Sequence, residues 1–400
     1  MSLKSLPRSV WMLGFTSMFM DTSSEMTASL LPMLLVGGLG ASAFTLGLID
    51  GVAEATTSVT KIFSGAISDW LGKRKLLAVL GYGLAAASKP LFPLAMSPVM
   101  VFTARMFDRL GKGIRGAPRD ALIADVTHPS SHGAAYGLRQ GLDTVGAILG
   151  PALAAGLMLI LAEDFRAVLW FAVIPAIICV LVLVLGVKEP RREKRQERRA
   201  FPLRARELKR LGGGFWLAMA AIGLLLLPRF SEAFMLLRGQ VLGLPAGAVP
   251  LVMVAMNLVA SPAALVAGLW SDRVGRSRLL LAGFALLGAG ELLLGYAPSP
   301  IWVFAGAALW GLHLGVTQTA LSAFVADRAP ADLRGTAFGA FHLVSGAAIF
   351  FGSLAAGWLW DGYGPAMPFW CGAVSSVLGL LAFLALPRRV RRRSRLPARG

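Results

Sequence analysis

Several ionisable residues lie inside long apolar stretches of this 400-residue chain. Asp21 and Glu25 are four residues apart, a spacing that puts two side chains on one face of a helix. Arg105, Asp108 and Arg109 lie in another apolar stretch. Charged groups are costly in an apolar environment, so each is a candidate functional group. A carboxyl group held away from water can also exchange protons near neutral pH.

The candidate site consists of the charged groups predicted nearest the middle of the apolar stretches. We predict that these residues bind a solute and couple its movement to protons: Asp21, Glu25, Arg105, Asp108, Arg109, Lys112, Arg229 and Glu232. Asp21 or Glu25 could alternate between a protonated state and an ion pair with bases of the 98–124 stretch. Proton and solute would then compete for one place, which is antiport.

Composition indicates that membrane helices position these groups. Hydrophobic residues make up 56% of the chain and charged residues only 15%, unlike a soluble globular protein. Runs of about 20 apolar residues cross a bilayer. Twelve can be placed, at 10–36, 44–70, 75–96, 98–124, 134–160, 165–187, 214–240, 246–270, 278–296, 299–326, 336–360 and 364–387. Because lipid-embedded backbone must bond within its own segment and no barrel-like alternation occurs, we predict an all-α fold.

The distribution of basic residues predicts the orientation. A net charge of +18 would indicate nucleic-acid binding in a soluble protein, but these bases crowd into loops and tails, so we predict no nucleic-acid partner. Basic residues cluster at 73–75, 188–210, 273–278 and 388–399, whereas the loops 37–43, 97–98, 241–245 and 297–300 have none. We therefore predict a multi-pass protein of the cytoplasmic (inner) membrane with both termini cytoplasmic. Residues 1–8 lead into a first membrane helix rather than a cleaved signal peptide.

A short motif occurs once in each half of the chain. Residues 65–75 (GAISDWLGKRK) and 268–278 (GLWSDRVGRSR) both read G-x-x-x-D-x-x-G-[KR]-x-[KR]. Asp69 and Asp272 are 203 residues apart, about half of the chain. The glycines allow close helix approach and a tight reversal. This motif resembles the signature loop of the major facilitator superfamily, which follows the second helix and recurs after the eighth.

The repeat extends further along the chain and predicts the domain organisation. Ala124-Asp125 and Ala326-Asp327 are offset by 202 residues. The resemblance implies two pseudo-symmetric six-helix bundles around a central cavity. We place them at 1–187 and 214–400, joined by a basic cytoplasmic linker at 188–213. That linker is an amphipathic connection at the membrane surface or, alternatively, a patch for anionic lipids.

Two further stretches resemble motifs of the superfamily. Residues 109–118 (RLGKGIRGAP) are similar to its fourth-helix motif, with Lys112 where the family has glutamine. With residues 21–26 (DTSSEM), the 108–125 stretch resembles a prokaryotic branch with largely unassigned substrates. Gly137, Gly146, Gly150 and Pro151 fit the glycine–proline pattern of antiporter branches, although Ala154-Ala155 replaces its closing Gly-Gly.

A second set of residues is predicted to control conformational change. In the superfamily, helices 1, 4, 7 and 10 line the cavity, helices 3, 6, 9 and 12 face lipid, and the rest form the interface between halves. We expect a salt-bridge lattice at the cytoplasmic end and close glycine packing between the halves. The predicted gating residues are Gly65, Asp69, Gly72, Lys73, Arg74, Gly268, Asp272, Gly275, Arg276, Arg115, Arg119, Asp120, Asp125, Arg139, Asp143, Gly146, Gly150 and Pro151.

The resemblance implies a secondary transporter and not an enzyme. No phosphate-binding G-x-x-x-x-G-K-[ST] motif occurs, so ATP is not the energy source. We predict proton-coupled export of a small organic compound or drug by a monomer embedded in lipid, with no cofactor and no resident metal. Two alternatives stay open. Arginines of the 98–124 stretch suit import of an anionic metabolite, and methionines suit transport of copper or iron: Met12, Met18, Met20, Met26, Met253 and Met256.

Overall fold

A computed structural model describes residues 6–71, 73–128, 131–189, 205–330 and 333–387 of the chain. The side chains of residues 66, 69, 205–207, 271–273 and 319 are outside this description. Gly72, the side chains of Asp69 and Asp272, and residues 190–204 of the predicted linker therefore lie outside the described residues. Within the described ranges the secondary structure is helical and contains no strand, which confirms the all-α prediction.

The N-terminal half, residues 6–189, is built from long helices that run back and forth between two ends. They are α1 (Arg8–Pro32), α2 (Ala43–Leu71), α3 (Arg74–Ser88), α4 (Pro98–Val126), α5 (His132–Ile160), α6 (Phe165–Phe171) and α7 (Val173–Gly186). A π-helical turn, Met33–Gly38, extends α1. Only Ala172 separates α6 from α7, so these two helices together occupy the predicted sixth run.

The C-terminal half, residues 205–387, repeats this pattern. Its helices are α8 (Ala205–Arg210), α9 (Gly212–Leu226), α10 (Ala233–Val241), α11 (Leu251–Val274), α12 (Arg276–Tyr296), α13 (Pro300–Ala326), α14 (Arg334–Tyr363) and α15 (Met367–Ala385). Gly275 separates α11 from α12 with a φ of 89°, a left-handed conformation that favours glycine. We call the end that carries Arg74 and Arg276 the basic end, and the other the opposite end.

Seven described segments are long and apolar enough to cross a membrane. They are His132–Ile160, Phe165–Gly186, Ala246–Trp270, Arg276–Tyr296, Pro300–Ala326, Arg334–Tyr363 and Met367–Ala385. The other five predicted runs are helical too. Of these, α1, α2 and α4 are long but carry internal charges, α3 has 15 residues, and α9 is a short apolar helix of 15 residues. The described helices therefore follow all twelve predicted runs in position.

The predicted run 214–240 is not one continuous helix, which corrects that prediction. Helix α9 ends at Leu226, and α10 begins only at Ala233. Pro228 lies in the break, and it lacks the backbone N–H that a helix interior needs. Irregular backbone at membrane depth occurs where protein buries it or where it lines a cavity. The break at 227–232 therefore indicates a functional site.

Apolar side chains cover the outward faces of α7 and α15. Ile174, Ile177 and Leu185 on α7 are 53%, 52% and 80% exposed. On α15, Leu378 and Leu381 are 61% and 56% exposed. Contiguous exposed apolar surface of this kind marks an interaction with a membrane or another apolar partner. In this helical chain these faces are suited to contact lipid.

The two halves meet along two seams between helices. In the first seam, α2 packs along α14, where Gly47 contacts the Ser353 carbonyl and Gly51 approaches Phe350. In the second, α5 packs against α11, where the Asn257 side-chain amide donates to the Ala147 carbonyl at 3.0 Å. A side chain larger than glycine at position 47 would meet backbone of the other half. Small residues therefore set the closeness of the first seam.

At the opposite end, a carboxylate from each half binds the backbone of the other half. Asp361, in the last turn of α14, accepts hydrogen bonds from the Ala43 and Phe44 amides at 3.0 and 2.8 Å. These amides begin α2. Glu163, which follows α5, accepts from the Gly247 amide at 3.2 Å, just before α11. Unpaired amides at helix N-termini favour negative charge, so both contacts join the two halves at this end.

Candidate functional site

A cavity of about 250 Å³ lies between the two halves. Helices α1, α2 and α4 line it from the N-terminal half, and the 229–236 segment, α11 and α14 line it from the C-terminal half. Its ionisable lining residues are Glu25, Asp50, Glu54, Arg105, Arg109, Lys112, Arg229 and Glu232. The break between α9 and α10 thus supplies two of the charged groups. These ionisable side chains make the cavity strongly polar. Phe230 is the one aromatic ring among its described lining residues.

Asp50 joins the two halves across this cavity. Its Oδ1 accepts from Arg105 Nε of α4 at 3.0 Å, and its Oδ2 accepts from Ser231 Oγ at 2.6 Å. The Ser231 amide in turn donates to Ser353 Oγ of α14 at 3.0 Å. A movement of one half relative to the other must therefore break or remake bonds to a charged carboxylate. Such bonds are stronger than those between neutral groups.

A second ion pair lies on the same side of the cavity. Arg109 Nη1 of α4 is 3.0 Å from Glu54 Oε1 of α2. Two guanidinium nitrogens nearby have no hydrogen-bond partner among the described residues, namely Arg105 Nη1 and Arg109 Nε. Buried polar atoms are nearly always satisfied in native proteins. Both nitrogens are buried and lie 3.9 and 3.8 Å from Asp108 Oδ2, so they face that carboxylate rather than the open cavity.

Behind the cavity wall, a buried ion pair positions the two arginines. Lys89 donates to Asp108 at 2.8 Å and to Ser24 Oγ at 2.9 Å, and both charged side chains are almost fully buried. The other oxygen of Asp108 lies 3.9 Å from Arg105 and 3.8 Å from Arg109. Asp108 does not line the cavity. Its location is that of a group that orients Arg105 and Arg109 rather than one that touches a solute.

Four charged groups of the cavity make no ion pair or hydrogen bond with any side chain that the structure describes. They are Glu25, Lys112, Arg229 and Glu232. All four are partly exposed to the cavity. Two carboxylates and two cations thus face the same space without fixed partners. This arrangement can bind charged groups of either sign.

Asp21 lies in a different polar cluster, although it is one helical turn from Glu25. Asp21 Oδ1 is 3.8 Å from Arg115 Nη2 of α4, and the Arg115 guanidinium lies 4.6 Å from the Tyr82 ring centre. Arg119 donates to Ser17 Oγ at 2.9 Å. Asp21 is not among the residues that line the cavity. The structure therefore separates the two carboxylates that the spacing places on one face.

The predicted gating residues of α5 mainly contact other residues of the N-terminal half. Arg139 and Asp143 form an ion pair of 2.6 Å along α5. A Cβ at Gly146 would meet the Met18 carbonyl of α1, and one at Gly150 would lie 3.0 Å from Glu25 Cβ. We expected these glycines at the interface between halves, and their actual location against α1 corrects that expectation. Pro151 is buried inside α5 beside them.

The basic end repeats one contact in both halves. Arg74 Nη1 is 2.6 Å from Asp125 and donates to the Ala121 carbonyl at 2.9 Å. In the other half, Arg276 pairs with Asp327 and donates to the Ala323 carbonyl at 3.0 Å. Each residue is 202 positions from its counterpart, as in the sequence repeat. The contacts join the start of α3 to the end of α4, and the start of α12 to the end of α13.

The remaining predicted gating residues lie near these contacts. Arg119 Nε is 3.0 Å from Asp120, whose carbonyl accepts from Tyr136 at 2.8 Å. Lys73 is exposed just before α3. Gly65 approaches Ala117 of α4, and Gly268 is exposed near the end of α11.

Reasoning from sequence missed several residues of the site. Lys89, Ser231 and Ser353 were not singled out, and Asp50 and Glu54 were not assigned to the site. A signal existed for Lys89, an isolated cation inside the 75–96 apolar run. Ser231 lies between Arg229 and Glu232, so its neighbours also marked its position.

Within the described ranges, no group of three or more His, Cys, Asp or Glu side chains could hold a metal ion. Of the predicted soft ligands, Met253 lines the cavity. Met20 and Met26 are buried in two separate apolar clusters.

A helical membrane protein with a charged cavity between two repeated halves has the architecture of a secondary transporter. Residues 13–261 and 212–400 match the model of the Major Facilitator Superfamily. The chain therefore belongs to the major facilitator superfamily. This membership confirms the resemblance that the signature loops carried.

Known proteins similar to this chain include both full-length and partial matches. An uncharacterized MFS-type transporter of Methanocaldococcus jannaschii is 31% identical over 390 residues, which is 95% of each chain. The multidrug resistance protein MdtH of Yersinia pestis is 30% identical over 172 residues, 42% of each chain. The crystal structure of the nucleoside transporter NupG superposes with a TM-score of 0.76 at 14% identity, covering 96% of this chain and 99% of NupG. That likeness shows the shared fold.

Proposed function

We propose that this protein exports a small organic solute from the cytoplasm by alternating access, in exchange for protons. The observation that carries the proposal is the charged cavity between the halves, which both halves line. Asp50 contacts Arg105 of its own half and Ser231 of the other. Rocking of one half against the other would therefore change the cavity directly. Export is supported by the partial similarity to a protein named for multidrug resistance.

Glu25 is the carboxylate that best suits proton exchange. It faces the cavity, has no ion pair among the described residues, and lies within electrostatic range of Lys112 and Arg109. Asp21, the other candidate, lies outside the cavity near Arg115. In the proposed cycle, a proton on Glu25 releases the solute, and loss of that proton restores the binding state. Each event changes the charge of the cavity by one unit.

Alternating access requires that the two ends open in turn. Asp361 and Glu163 hold the opposite end closed through contacts between the halves. Arg74 with Asp125, and Arg276 with Asp327, brace each half at the basic end. We place the basic end in the cytoplasm, because basic loops stay on that side of a membrane. In this arrangement the protein works as a monomer, with each half moving as a unit.

The test is proton movement in proteoliposomes that contain a pH-sensitive dye, at zero membrane potential. Solutes are added by class: organic cations, organic anions, zwitterions, sugars and copper(I). We expect one class to drive protons in the direction opposite to its own movement. Glu25→Gln is expected to abolish the proton signal, because the amide cannot exchange a proton.

The matched control is Glu291→Gln, which makes the same chemical change at a buried carboxylate outside the cavity. This variant is expected to keep the proton signal. Proton movement in the same direction as an organic anion would instead identify an importer. An unaltered signal in Glu25→Gln would remove Glu25 from the coupling step.

A further inference from the structure

We infer that the solute is a small zwitterion, with one anionic and one cationic group that bind at different places in the cavity. The inference rests on the proposed transport function, and it specifies the chemistry of the solute. It depends on the charge balance of the lining, on the groups without partners and on the cavity size.

The ionisable groups that line the cavity balance in number. Four are acidic, Glu25, Asp50, Glu54 and Glu232, and four are basic, Arg105, Arg109, Lys112 and Arg229. A solute of one sign would leave an excess charge in a low-dielectric space, which is costly. A zwitterion adds both signs and no net charge. The balanced lining therefore favours a zwitterion over a simple anion or cation.

Only half of these groups are available to a solute. Asp50 pairs with Arg105 and Glu54 pairs with Arg109. The remaining groups, Glu25, Glu232, Lys112 and Arg229, have no ion pair with a described residue. The protein thus pairs two acids with two bases internally. It leaves two other acids and two other bases open to a solute. An ammonium group suits the open carboxylates, and a carboxylate or phosphonate suits the open cations.

The break between α9 and α10 strengthens the anionic subsite. Arg229 lies in that break, and α10 begins at Ala233, which also lines the cavity. The first amides of α10 are bonded within the chain, since the Ala233 amide donates to Ser231 Oγ and the Phe234 amide donates to the Ser231 carbonyl. The Arg229 guanidinium is therefore the group of this break that offers donors to an anion. The acidic group of the solute is therefore placed beside Arg229.

The size and polarity of the cavity favour small polar solutes over large lipophilic ones. Its volume is about 250 Å³. Pockets for drug-sized ligands are about 300–1,000 Å³ and mostly apolar. Among the described lining residues here, Phe230 supplies the aromatic surface. An amino acid or a compound of similar size fits these limits.

A zwitterion also accounts for exchange with protons. Protonation of Glu25 removes one of the two open carboxylates, so the ammonium group of the solute loses a partner. The open cations keep their charge, so the solute is then held only through its anionic group. Release of the solute and uptake of the proton are then linked through one carboxylate.

The test is calorimetric binding to the purified protein in detergent, without a proton gradient. The probes are the ω-amino acids from β-alanine to aminohexanoate, together with their N-acetyl and amide derivatives and the lipophilic cation tetraphenylphosphonium. We expect at least one amino acid of the series to bind. Its N-acetyl form, which keeps only the anion, and its amide, which keeps only the cation, should bind about ten- to a hundredfold more weakly.

Two substitutions separate the subsites. Arg229→Gln should weaken binding of the amino acid and of its N-acetyl form, and should leave the amide unchanged. Glu232→Gln should weaken the amino acid and the amide, and should leave the N-acetyl form unchanged. Glu291→Gln is the control and should bind every probe as the wild type does.

Three outcomes would overturn the inference. The first is a singly charged derivative or tetraphenylphosphonium that binds as tightly as the amino acids. The second is folded wild-type protein that binds no amino acid of the series at millimolar concentration. The third is that both cavity variants bind every probe as the control does. Binding without proton movement would instead overturn the proposed antiport and leave the zwitterion site intact. Proton exchange driven only by lipophilic cations would overturn the zwitterion site and leave the proposed antiport intact.

Discussion

Helices α4 and α13 occupy equivalent places in the two halves, 202 residues apart. Helix α4 places Arg105, Asp108, Arg109 and Lys112 in or behind the cavity wall. The equivalent positions of α13 are all uncharged: Ala307, Trp310, Gly311 and Leu314. The same element of the fold thus carries the electrostatics in one half and apolar packing in the other.

The helix contacts, in contrast, are repeated. A Cβ at Gly113 of α4 would meet Thr60 of α2, and one at Gly315 of α13 would meet the Ala260 carbonyl of α11. These two glycines are also 202 residues apart. Close backbone approach depends on the shape of the fold, which both halves share, whereas charge depends on what the cavity binds. The repeat therefore preserves packing without preserving chemistry.

The buried ionisable groups next to these helices sharpen the difference. Lys89 beside α4 pairs with Asp108 at 2.8 Å. Its counterpart 202 residues later is Glu291, which is fully buried and accepts from Ser376 at 3.2 Å. Oxygen Oε1 of Glu291 has no hydrogen-bond partner among the described residues. At these equivalent positions, one half therefore buries a charge pair and the other buries a carboxyl group without a described counter-charge.

The largest expected difference in stability is between the same acid-to-amide change made in each half. Asp108→Asn leaves Lys89 buried without a counter-charge and should lower the free energy of unfolding by about 3–5 kcal/mol. Glu291→Gln keeps the shape and the hydrogen bond from Ser376, so we expect a loss of at most about 1 kcal/mol. Unfolding of the detergent-solubilised protein measures both. Equal losses would mean that the two buried sites are energetically alike.

An intermediate effect on stability is expected at the glycine contacts that both halves share. Gly113→Val and Gly315→Val each force a side chain into a neighbouring helix and should cost about 1–3 kcal/mol. Gly116→Ala is the control on α4, because a Cβ there meets nothing within 4 Å; it should be neutral or stabilising by up to about 1 kcal/mol. The same unfolding measurement applies. A loss in only one of the two valine variants would break the packing symmetry.

The smallest effect is expected at the basic end. Arg74→Ala and Arg276→Ala each remove an ion pair and a hydrogen bond to a carbonyl at the end of α4 or α13. The Arg276 side chain is 24% exposed and the Arg74 side chain only 8%, so we expect a loss of about 1 kcal/mol for Arg276→Ala and of up to about 2 kcal/mol for Arg74→Ala. Stability measured at low and high salt should show both differences shrinking as salt is added. A salt-independent loss in either variant would contradict a surface electrostatic role.

The sequence was sufficient for the positions of the helices, and less so for the contacts of the charged residues. Apolar runs and the paired signature loops placed the helices, because span length and loop charge are local properties. The position of the α9–α10 break was not predicted, since its apolar composition continues through Pro228. The pairing of Lys89 with Asp108 was not predicted either, because it depends on how α3 and α4 are rotated about their axes.

Asp21 and Glu25 also show that the sequence does not predict which groups a charged residue contacts. Their spacing of four residues places both on one face of α1, yet Asp21 lies near Arg115 and Glu25 faces the cavity. One helical turn moves a side chain by about 5.4 Å along the axis. That distance is enough to pass from one polar cluster to the next. Periodicity gives the direction of a side chain, while its depth relative to neighbouring helices requires the fold.

The two carboxylates at the opposite end have a consequence for the evolutionary record of this protein. Asp361 and Glu163 bind main-chain amides, at Ala43, Phe44 and Gly247. Every residue except proline offers such an amide, so these hydrogen bonds need the two acids but do not depend on the side chains at the receiving positions. Among homologues, these contacts would appear as two constrained acids without covarying partners. Methods that infer contacts from correlated substitutions would therefore overlook the bonds that join the halves at this end.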